Sequence, residues 1–241
     1  MANVLAFGAH PDDCEISMGG TLLLLKHLGY WVGVCDLSLG EAGTYGSSET
    51  RMLELEKASA YLSLDSRITL DMPDGKIRDT EENRLKIINV IREQKPEVVF
   101  SFHDEPGRHP DHRHCGALVK ACCFLAGLEK IETQFPAHRP ASFISFPELI
   151  YFKKPDFVVD IGGVWEQKLN AIRCYGSQVT LPGEDDNGTK TFIRSNRFWD
   201  ILEARACLAG AMIGVNYGEP FFSDMPPRVD DPLKSFLRDF G

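Results

Sequence analysis

Apolar and polar positions change period along the chain, and these changes predict strands and helices in alternation. Val4–Gly8 is a short apolar run, and Ile16–Leu28 carries helix-forming residues with apolar side chains on one side. Gly29 supplies the residue expected just past a helix end, and Trp31–Leu37 then predicts a second strand. A helix, an apolar segment, a helix and a strand follow in the same order: Ser48–Leu62, Arg67–Leu70, Glu81–Gln94 and Glu97–Phe102.

This alternation predicts an α/β fold, a Rossmann-like three-layer sandwich in which helices cover both faces of a mostly parallel sheet. Ligands in that architecture bind beyond the carboxyl ends of the strands. The rest of the chain is less regular, and its sheet order stays open; the elements expected there are strands at Leu149–Tyr151 and Phe157–Ile161 and helices at Val164–Tyr175 and Asn196–Ala211. The 241 residues contain no linker-like stretch, so we expect a single domain over residues 1–241.

Composition and charge exclude several classes of protein. The chain is 43% hydrophobic and 25% charged, as in ordinary globular proteins. Its 26 basic and 35 acidic residues give a net charge of -9 without a basic cluster, so nucleic acid and anionic membranes are not expected partners. The apolar runs are short and no secretory signal is recognisable, which predicts a cytoplasmic location. The seven cysteines form no C-x-x-C pair and are expected to be reduced.

The first candidate chemistry lies directly after the first strand, in the sequence AHPDDCE. His10, Asp12, Asp13 and Glu15 are crowded at one strand end, where their charges would repel each other and resist burial unless a positive charge lay among them. A metal ion is the simplest such charge. Cys14 could in principle bind a soft metal, but the neighbouring imidazole and carboxylates already suffice.

A second motif, GRHPDHRH, follows the strand that ends at Phe102. In a doubly wound sheet the two strand ends can be neighbours, so that an imidazole and a carboxylate from the first motif meet an imidazole from the second. Three nitrogen or oxygen ligands with an open fourth position are typical of a catalytic zinc site. His109 and His112 are three residues apart and share one helix face, so that one could bind the ion and the other could donate a proton.

The two carboxylates of the first motif can take different roles. In a turning segment His10 and Asp13 can point to one side while Asp12 points elsewhere, close to the ion without binding it. An unbound carboxylate at that place is suited to act as a general base on a water molecule. One carboxylate and two imidazoles bind Zn²⁺, and they also suit Fe²⁺.

These residues resemble the LmbE-like or PIG-L family of zinc-dependent deacetylases, which remove acetyl groups from N-acetylglucosamine derivatives. The resemblance rests on AHPDD-x-E at Ala9–Glu15 and on HPDH at His109–His112. It implies that His10, Asp13 and His112 bind the metal and that Asp12 is the base. It also implies that His109 stabilises the oxyanion or protonates the leaving amine, and that Asp111 orients an imidazole and favours protonated His109.

Further segments resemble the branch that deacetylates N-acetyl-alpha-D-glucosaminyl L-malate in bacillithiol biosynthesis: GEAGTYGSSETR from Gly40, MPDG from Met72 and GVNYGEPF from Gly214. The malyl carboxylates of that substrate would need a partner, and Arg51 and Arg108 are the candidates. The resemblance also implies a homo-oligomer, often a hexamer. Other substrates in the same class are a mycothiol precursor, a chitobiose unit and a natural-product conjugate.

Two functions from other classes remain open at this stage. A dinucleotide-binding oxidoreductase would share the strand-helix alternation, but the first turn lacks G-x-G-x-x-G and its acids would repel a pyrophosphate. A non-catalytic metal or sugar-binding module would need the metal ligands but has no use for Asp12 and His109. Release of acetate that a chelator abolishes separates an enzyme from a binding module.

Overall fold

A computed structural model describes residues 3–104, 107–150, 153–181, 189 and 191–231. Its seven strands are β1 (Asn3–Gly8), β2 (Trp31–Asp36), β3 (Ser66–Thr69), β4 (Val98–Phe102), β5 (Ser142–Phe146), β6 (Phe157–Asp160) and β7 (Gly218–Ser223). Its six α-helices are α1 (Asp13–His27), α2 (Ser48–Tyr61), α3 (Glu81–Gln94), α4 (Pro110–Leu125), α5 (Trp165–Arg173) and α6 (Asn196–Ile213).

The strands form one mostly parallel sheet in the order β3-β2-β1-β4-β5-β7-β6. Strands β1 to β5 pair in parallel, and β7 runs antiparallel to both β5 and β6. Helix α5 packs against both α1 and α2 in one layer, and α3 packs against α4 in the other. The predicted α/β sandwich is therefore confirmed, and β1 is an inner strand whose Leu5, Ala6 and Phe7 are fully buried.

Local sequence signals explain where the helices begin and end. The hydroxyls of Ser47 and Thr80 accept hydrogen bonds from backbone N–H groups in the first turns of α2 and α3, which supplies partners that a helix start otherwise lacks. Helix α6 ends at Gly214, whose φ of 77° is a left-handed conformation that favours glycine. No helix among the described residues has both the length and the apolar composition that a membrane span requires.

The C-terminal part differs from the sequence prediction at three places. The strand expected at Leu149–Tyr151 is wrong: β5 ends at Phe146, Leu149 and Ile150 lie in the turn beyond it, and Tyr151 is outside the described residues. Strands β5 and β7 are not among the predicted elements. The strand at β6 and the helices α5 and α6 are confirmed to within a few residues at their ends.

Candidate active site

Both His-Pro-Asp motifs lie at the carboxyl ends of neighbouring strands. Strand β1 pairs in parallel with β2 on one side and with β4 on the other, so the chain order of the sheet changes direction between β1 and β4. The first motif follows β1 and the second follows β4 after a short loop. The structure thus brings the two motifs together at the point of a doubly wound sheet where ligands bind.

The first motif forms a tight turn that is closed by Asp13. Its Oδ2 accepts hydrogen bonds from the backbone N–H groups of Ala9 (2.9 Å) and His10 (2.8 Å). Asp12 precedes helix α1 with a φ of 105°, a left-handed conformation that is strained for a residue with a side chain. The strain turns two adjacent carboxylates towards different partners, because Asp12 lies beside Arg51 whereas Asp13 contacts histidines.

The second motif begins helix α4. His109 is the residue that caps this helix, and its Nδ1 accepts a hydrogen bond from the backbone N–H of Asp111 at 3.2 Å. Pro110 occupies the first helical position, where proline is favoured. His112 lies in the first turn and stacks on the ring of Phe102, with a centroid distance of 4.1 Å and an interplanar angle of 6°.

Potential metal ligands converge between the two motifs. Asp13 Oδ2 lies 3.4 Å from His10 Nδ1, and Asp13 Oδ1 lies 3.2 Å from His112 Nε2. One nitrogen each of His10, His109 and His112 lie within 4.8 Å of one another, and so do potential ligand atoms of a second group, His10, Asp74 and Asp111. The predicted set of His10, Asp13 and His112 is therefore brought together, with His109 beside it.

The donor atoms around Asp13 support the presence of a cation. His10 Nδ1 and His112 Nε2 face the two oxygens of this carboxylate, and all three side chains are largely buried. Charged groups that are buried together in this way are paired or coordinate a metal. A set of imidazole nitrogens and carboxylate oxygens fits Zn²⁺ or Fe²⁺. Burial raises the pKa of Cys14 well above its ordinary value, so its thiol is not the donor that this site needs.

The environment shifts the pKa values of the two aspartates of the first motif in opposite directions. Burial and the charge of Asp13 raise the pKa of Asp12 to about 7, and the guanidinium of Arg51 opposes this rise. Burial also disfavours ionised Asp13, but His112 and His10 outweigh it and hold the pKa of Asp13 well below its ordinary range. At neutral pH Asp13 is therefore ionised, whereas Asp12 can accept and release a proton.

The pKa values of the three histidines also shift in different directions. Burial disfavours the charged rings of His10 and His112, yet the carboxylates around them raise both pKa values above the ordinary one. Burial and the positive charges of His10 and His112 lower the pKa of His109. Asp111 acts on this pKa in the expected direction, but its effect is smaller than each of the effects that lower it, so that its role in protonating His109 stays a prediction.

Asp111 instead lies beside the first motif. Its Oδ2 accepts a hydrogen bond from the backbone N–H of Gly75 at 2.7 Å and lies 3.6 Å from His10 Nε2. The imidazole that it can orient is thus that of His10, and its contact with His109 is made by the backbone N–H.

The two candidate arginines occupy different places. Arg51 is 5% exposed; its Nη1 donates to the carbonyl of Pro11 at 3.4 Å and lies 3.8 Å from Asp12 Oδ2. It lies next to the predicted base inside the site and is not a surface charge of its helix. Arg108 is exposed at the mouth, where its guanidinium lies 4.8 Å from the centre of the Phe192 ring.

Two further acids at the site were missed in the sequence. Asp74 Oδ1 lies 2.9 Å from His10 Nε2, and Glu148 Oε1 lies 2.8 Å from His112 Nδ1. Asp74 follows β3 and Glu148 follows β5, so both come after strand ends like the two motifs. Their position just beyond a strand end is the signal in the sequence that points to them.

These side chains line a cleft of about 240 Å³. Its floor carries the histidines and carboxylates described above, and its walls include Leu149, Ile150, Phe192 and Ile193. Pockets for drug-sized ligands span roughly 300–1,000 Å³, so a ligand of that size would extend beyond this cleft.

Comparison with known proteins identifies relatives over most of the chain. A family model described as PIG-L: GlcNAc-PI de-N-acetylase matches residues 5–123. The chain is 35% identical over 187 residues to the diacetylchitobiose deacetylase of Thermococcus kodakarensis. This match covers 73% of this chain and 69% of that protein. It is 28% identical over 218 residues to a probable N-acetyl-alpha-D-glucosaminyl L-malate deacetylase 2 of Bacillus cereus, with 82% and 96% of the two chains covered.

A solved structure extends the likeness to the complete fold. A conserved protein from Thermus thermophilus matches with a TM-score of 0.86 and 33% identity over 99% of this chain and 100% of that one. The expected bacillithiol branch is not singled out, because the diacetylchitobiose deacetylase shares the higher identity. At 35% identity to a de-N-acetylating relative, and with the family's model matched across both His-Pro-Asp motifs, the chain belongs to the PIG-L family.

Proposed function

We propose that this protein is a metal-dependent hydrolase that removes the N-acetyl group from an N-acetylglucosamine conjugate. The observation that carries the proposal is the convergence of His10, Asp13 and His112 around one point, with the carboxylate of Asp12 buried beside them and paired elsewhere. A binding module would need the first three residues only. PIG-L enzymes are metal-dependent, and His10, Asp13 and His112 would hold the ion.

A divalent cation bound there would act as a Lewis acid on the acetyl carbonyl and would make a water molecule more acidic. Asp12 takes the proton from the attacking water. A pKa of about 7 is near the optimum for a general base at neutral pH, because the group is then partly ionised and still basic enough to accept the proton. Arg51 assists by keeping a fraction of Asp12 ionised in spite of its burial.

His109 supplies a hydrogen-bond donor for the developing oxyanion. Since its Nδ1 accepts the backbone N–H of Asp111, the neutral ring carries its proton on Nε2. A ring held in this tautomer can donate a hydrogen bond to the acetyl oxygen as negative charge develops there. The proton that Asp12 takes from the water is then available for the leaving sugar nitrogen, and His109 keeps its own proton. The helix cap thus fixes the tautomer, and no ionised partner is needed to keep the proton in place.

N-acetyl-alpha-D-glucosaminyl L-malate is the first candidate substrate. Arg108 supports it, because this exposed guanidinium at the mouth of the cleft could bind a malyl carboxylate. Diacetylchitobiose is the second candidate, and the 35% identity to a diacetylchitobiose deacetylase favours it. Arg51 gives less support to the malate conjugate than expected, since its charge is already engaged with Asp12.

The test is acetate and amine release from a panel of N-acetylglucosaminides by zinc-loaded and iron-loaded protein. We expect turnover of at least one glucosaminide, loss of turnover with a chelator and with Asp12→Ala, and its return when the metal is restored to the wild type. Metal binding without hydrolysis of any member of the panel would contradict the proposal. An Arg108→Ala variant impaired on the malate conjugate but not on diacetylchitobiose would assign the carboxylate contact. The expected homo-oligomer stays a prediction that light scattering can check.

A further inference from the structure

Glu148 joins the second motif at three points. It lies two residues beyond β5, which pairs in parallel with β4, so it emerges beside the loop that leads from β4 to His109. Its Oε2 accepts a hydrogen bond from the backbone N–H of Arg108 at 2.6 Å, and its Oε1 accepts one from the backbone N–H of His109 at 3.0 Å. Oε1 also lies 2.8 Å from Nδ1 of His112. One carboxylate therefore holds the loop and the first turn of α4 together.

Burial of this carboxylate costs desolvation free energy. Its side chain is 11% exposed, and an ionised group so far out of water is stable only when donors surround it. Two backbone N–H donors and the ring nitrogen of His112 surround this carboxylate, which is the environment that an ionised carboxylate needs. The interaction with His112 is close, although its angle falls short of a hydrogen bond.

The ring of His112 needs two constraints to present one particular nitrogen. Stacking on Phe102 fixes the plane of the ring but allows a half-turn that exchanges each nitrogen with a carbon. In the observed orientation Nδ1 faces Glu148 and Nε2 faces Asp13 Oδ1 at 3.2 Å. A carboxylate next to Nδ1 favours the tautomer with its proton there, which leaves the lone pair on Nε2.

We propose that Glu148 is a positioning residue that fixes the orientation and tautomer of His112, so that Nε2 is available to a cation held with Asp13. The inference rests on the proposed metal site and adds to it a residue outside both motifs. Carboxylates that orient metal-binding histidines in this way affect metal affinity by about 10–100-fold when they are changed.

Gly107 supplies an independent means of testing this role. A Cβ atom at position 107 would lie 2.5 Å from the carboxyl carbon of Glu148 and 2.7 Å from its Oε1. The loop therefore passes over the carboxylate so closely that only glycine fits without moving it. Gly107→Ala would displace the Glu148 side chain without removing its negative charge.

The experiment measures the dissociation constant for zinc by competition with a chromophoric chelator. Glu148→Gln replaces one acceptor oxygen with an N–H₂ donor, which must then face another donor at either Arg108 or His112. We expect zinc to bind about 10–100-fold more weakly to this variant, and more weakly to Gly107→Ala as well. Glu54→Gln is the matched control: its buried carboxylate also accepts from a backbone N–H, that of Ser177 at 2.6 Å, and its zinc affinity should not change.

Two further readouts separate the alternatives. Thermal unfolding of the metal-free variants distinguishes positioning from a merely structural role, which would lower the melting temperature and leave the zinc dissociation constant unchanged. That result, or wild-type zinc affinity in both Glu148→Gln and Gly107→Ala, would overturn the inference. Failure of the wild type to bind zinc or iron would overturn the proposed metal site itself, and the inference with it.

Discussion

Removal of the charge of Arg51 is expected to move the pH dependence of catalysis. In Arg51→Met the carboxylate of Asp12 loses its positive neighbour, whose Nη1 lies 3.8 Å from Oδ2. Arg51 lowers the pKa of Asp12, so its loss must raise that pKa further above its ordinary value. The ionised fraction at a given pH then falls, and the acid limb of kcat/KM moves to higher pH.

The size of the shift follows from the geometry. Two unit charges 3.8 Å apart interact by about 4 kcal/mol at an effective dielectric constant of about 20, which is an upper bound. Opposite charges at such distances shift a pKa by about 1–3 units. A rise of one unit from about 7 lowers the ionised fraction at pH 7 about fivefold, and a rise of two units lowers it about fiftyfold. Arg51→Lys, which keeps the charge, should show a smaller shift.

The assay is the pH profile of kcat/KM for wild type, Arg51→Met and Arg51→Lys, all loaded with the same metal. Both the malate conjugate and diacetylchitobiose should be used where they are turned over. A shift of the acid limb that is equal for two substrates identifies an effect on the base. An unchanged acid limb, with a higher KM only for the substrate that carries carboxylates, would refute this reasoning and restore Arg51 as a substrate-binding residue.

Three other predictions follow from the same structure. Asp12→Ala should lower kcat by about 10²–10⁴-fold while zinc affinity stays within a few-fold of wild type, and loss of zinc on dialysis would instead make Asp12 a ligand. Gly116→Ala should lose at least about 1–3 kcal/mol of unfolding free energy in urea, because its Cβ would lie 2.2 Å from the carbonyl oxygen of Phe102; wild-type stability would mean that α4 can move away from β4. Lys168→Met should cost about 3–5 kcal/mol in the same assay, because it leaves the buried carboxylate of Glu219 without its ammonium partner at 2.7 Å, and a cost below about 1 kcal/mol would contradict that pairing.

The first half of the fold could be predicted from the sequence because its physical signals are simple. Parallel strands buried on both faces give continuous apolar runs, as in β1 and β2, and each is followed by a helix with its own start and stop residues. The two motifs could be placed together for the same reason, since the carboxyl ends of neighbouring parallel strands meet at one edge.

The C-terminal strands gave weaker signals. Three of the five residues of β5 are only partly buried, so the strand lacks a continuous apolar run. Pro220 lies within β7, and proline normally argues against an inner strand. Its position is compatible with the sheet because the pairing of β7 with β5 involves Phe222 and Ser223, whereas Pro220 pairs with Val158 of β6.

The site residues that the sequence did not predict have one feature in common, which is that long-range contacts place them. Asp74 and Glu148 are far from both motifs in sequence, and only the order of β3 and β5 in the sheet brings their loops to His10 and His112. The direction of the Asp111 carboxylate depends likewise on the backbone N–H of Gly75, a long-range contact that spacing does not encode. Motif positions were therefore predictable, whereas the partners of each side chain were not.

The most direct test of the account is anomalous diffraction at the zinc edge from crystals of the zinc-loaded protein. The account predicts one strong peak within bonding distance of His10, Asp13 and His112, with Asp12 near the ion but not bound to it. A peak bound instead between Asp74 and Asp111, or one that has Asp12 in place of Asp13 among its ligands, would contradict it.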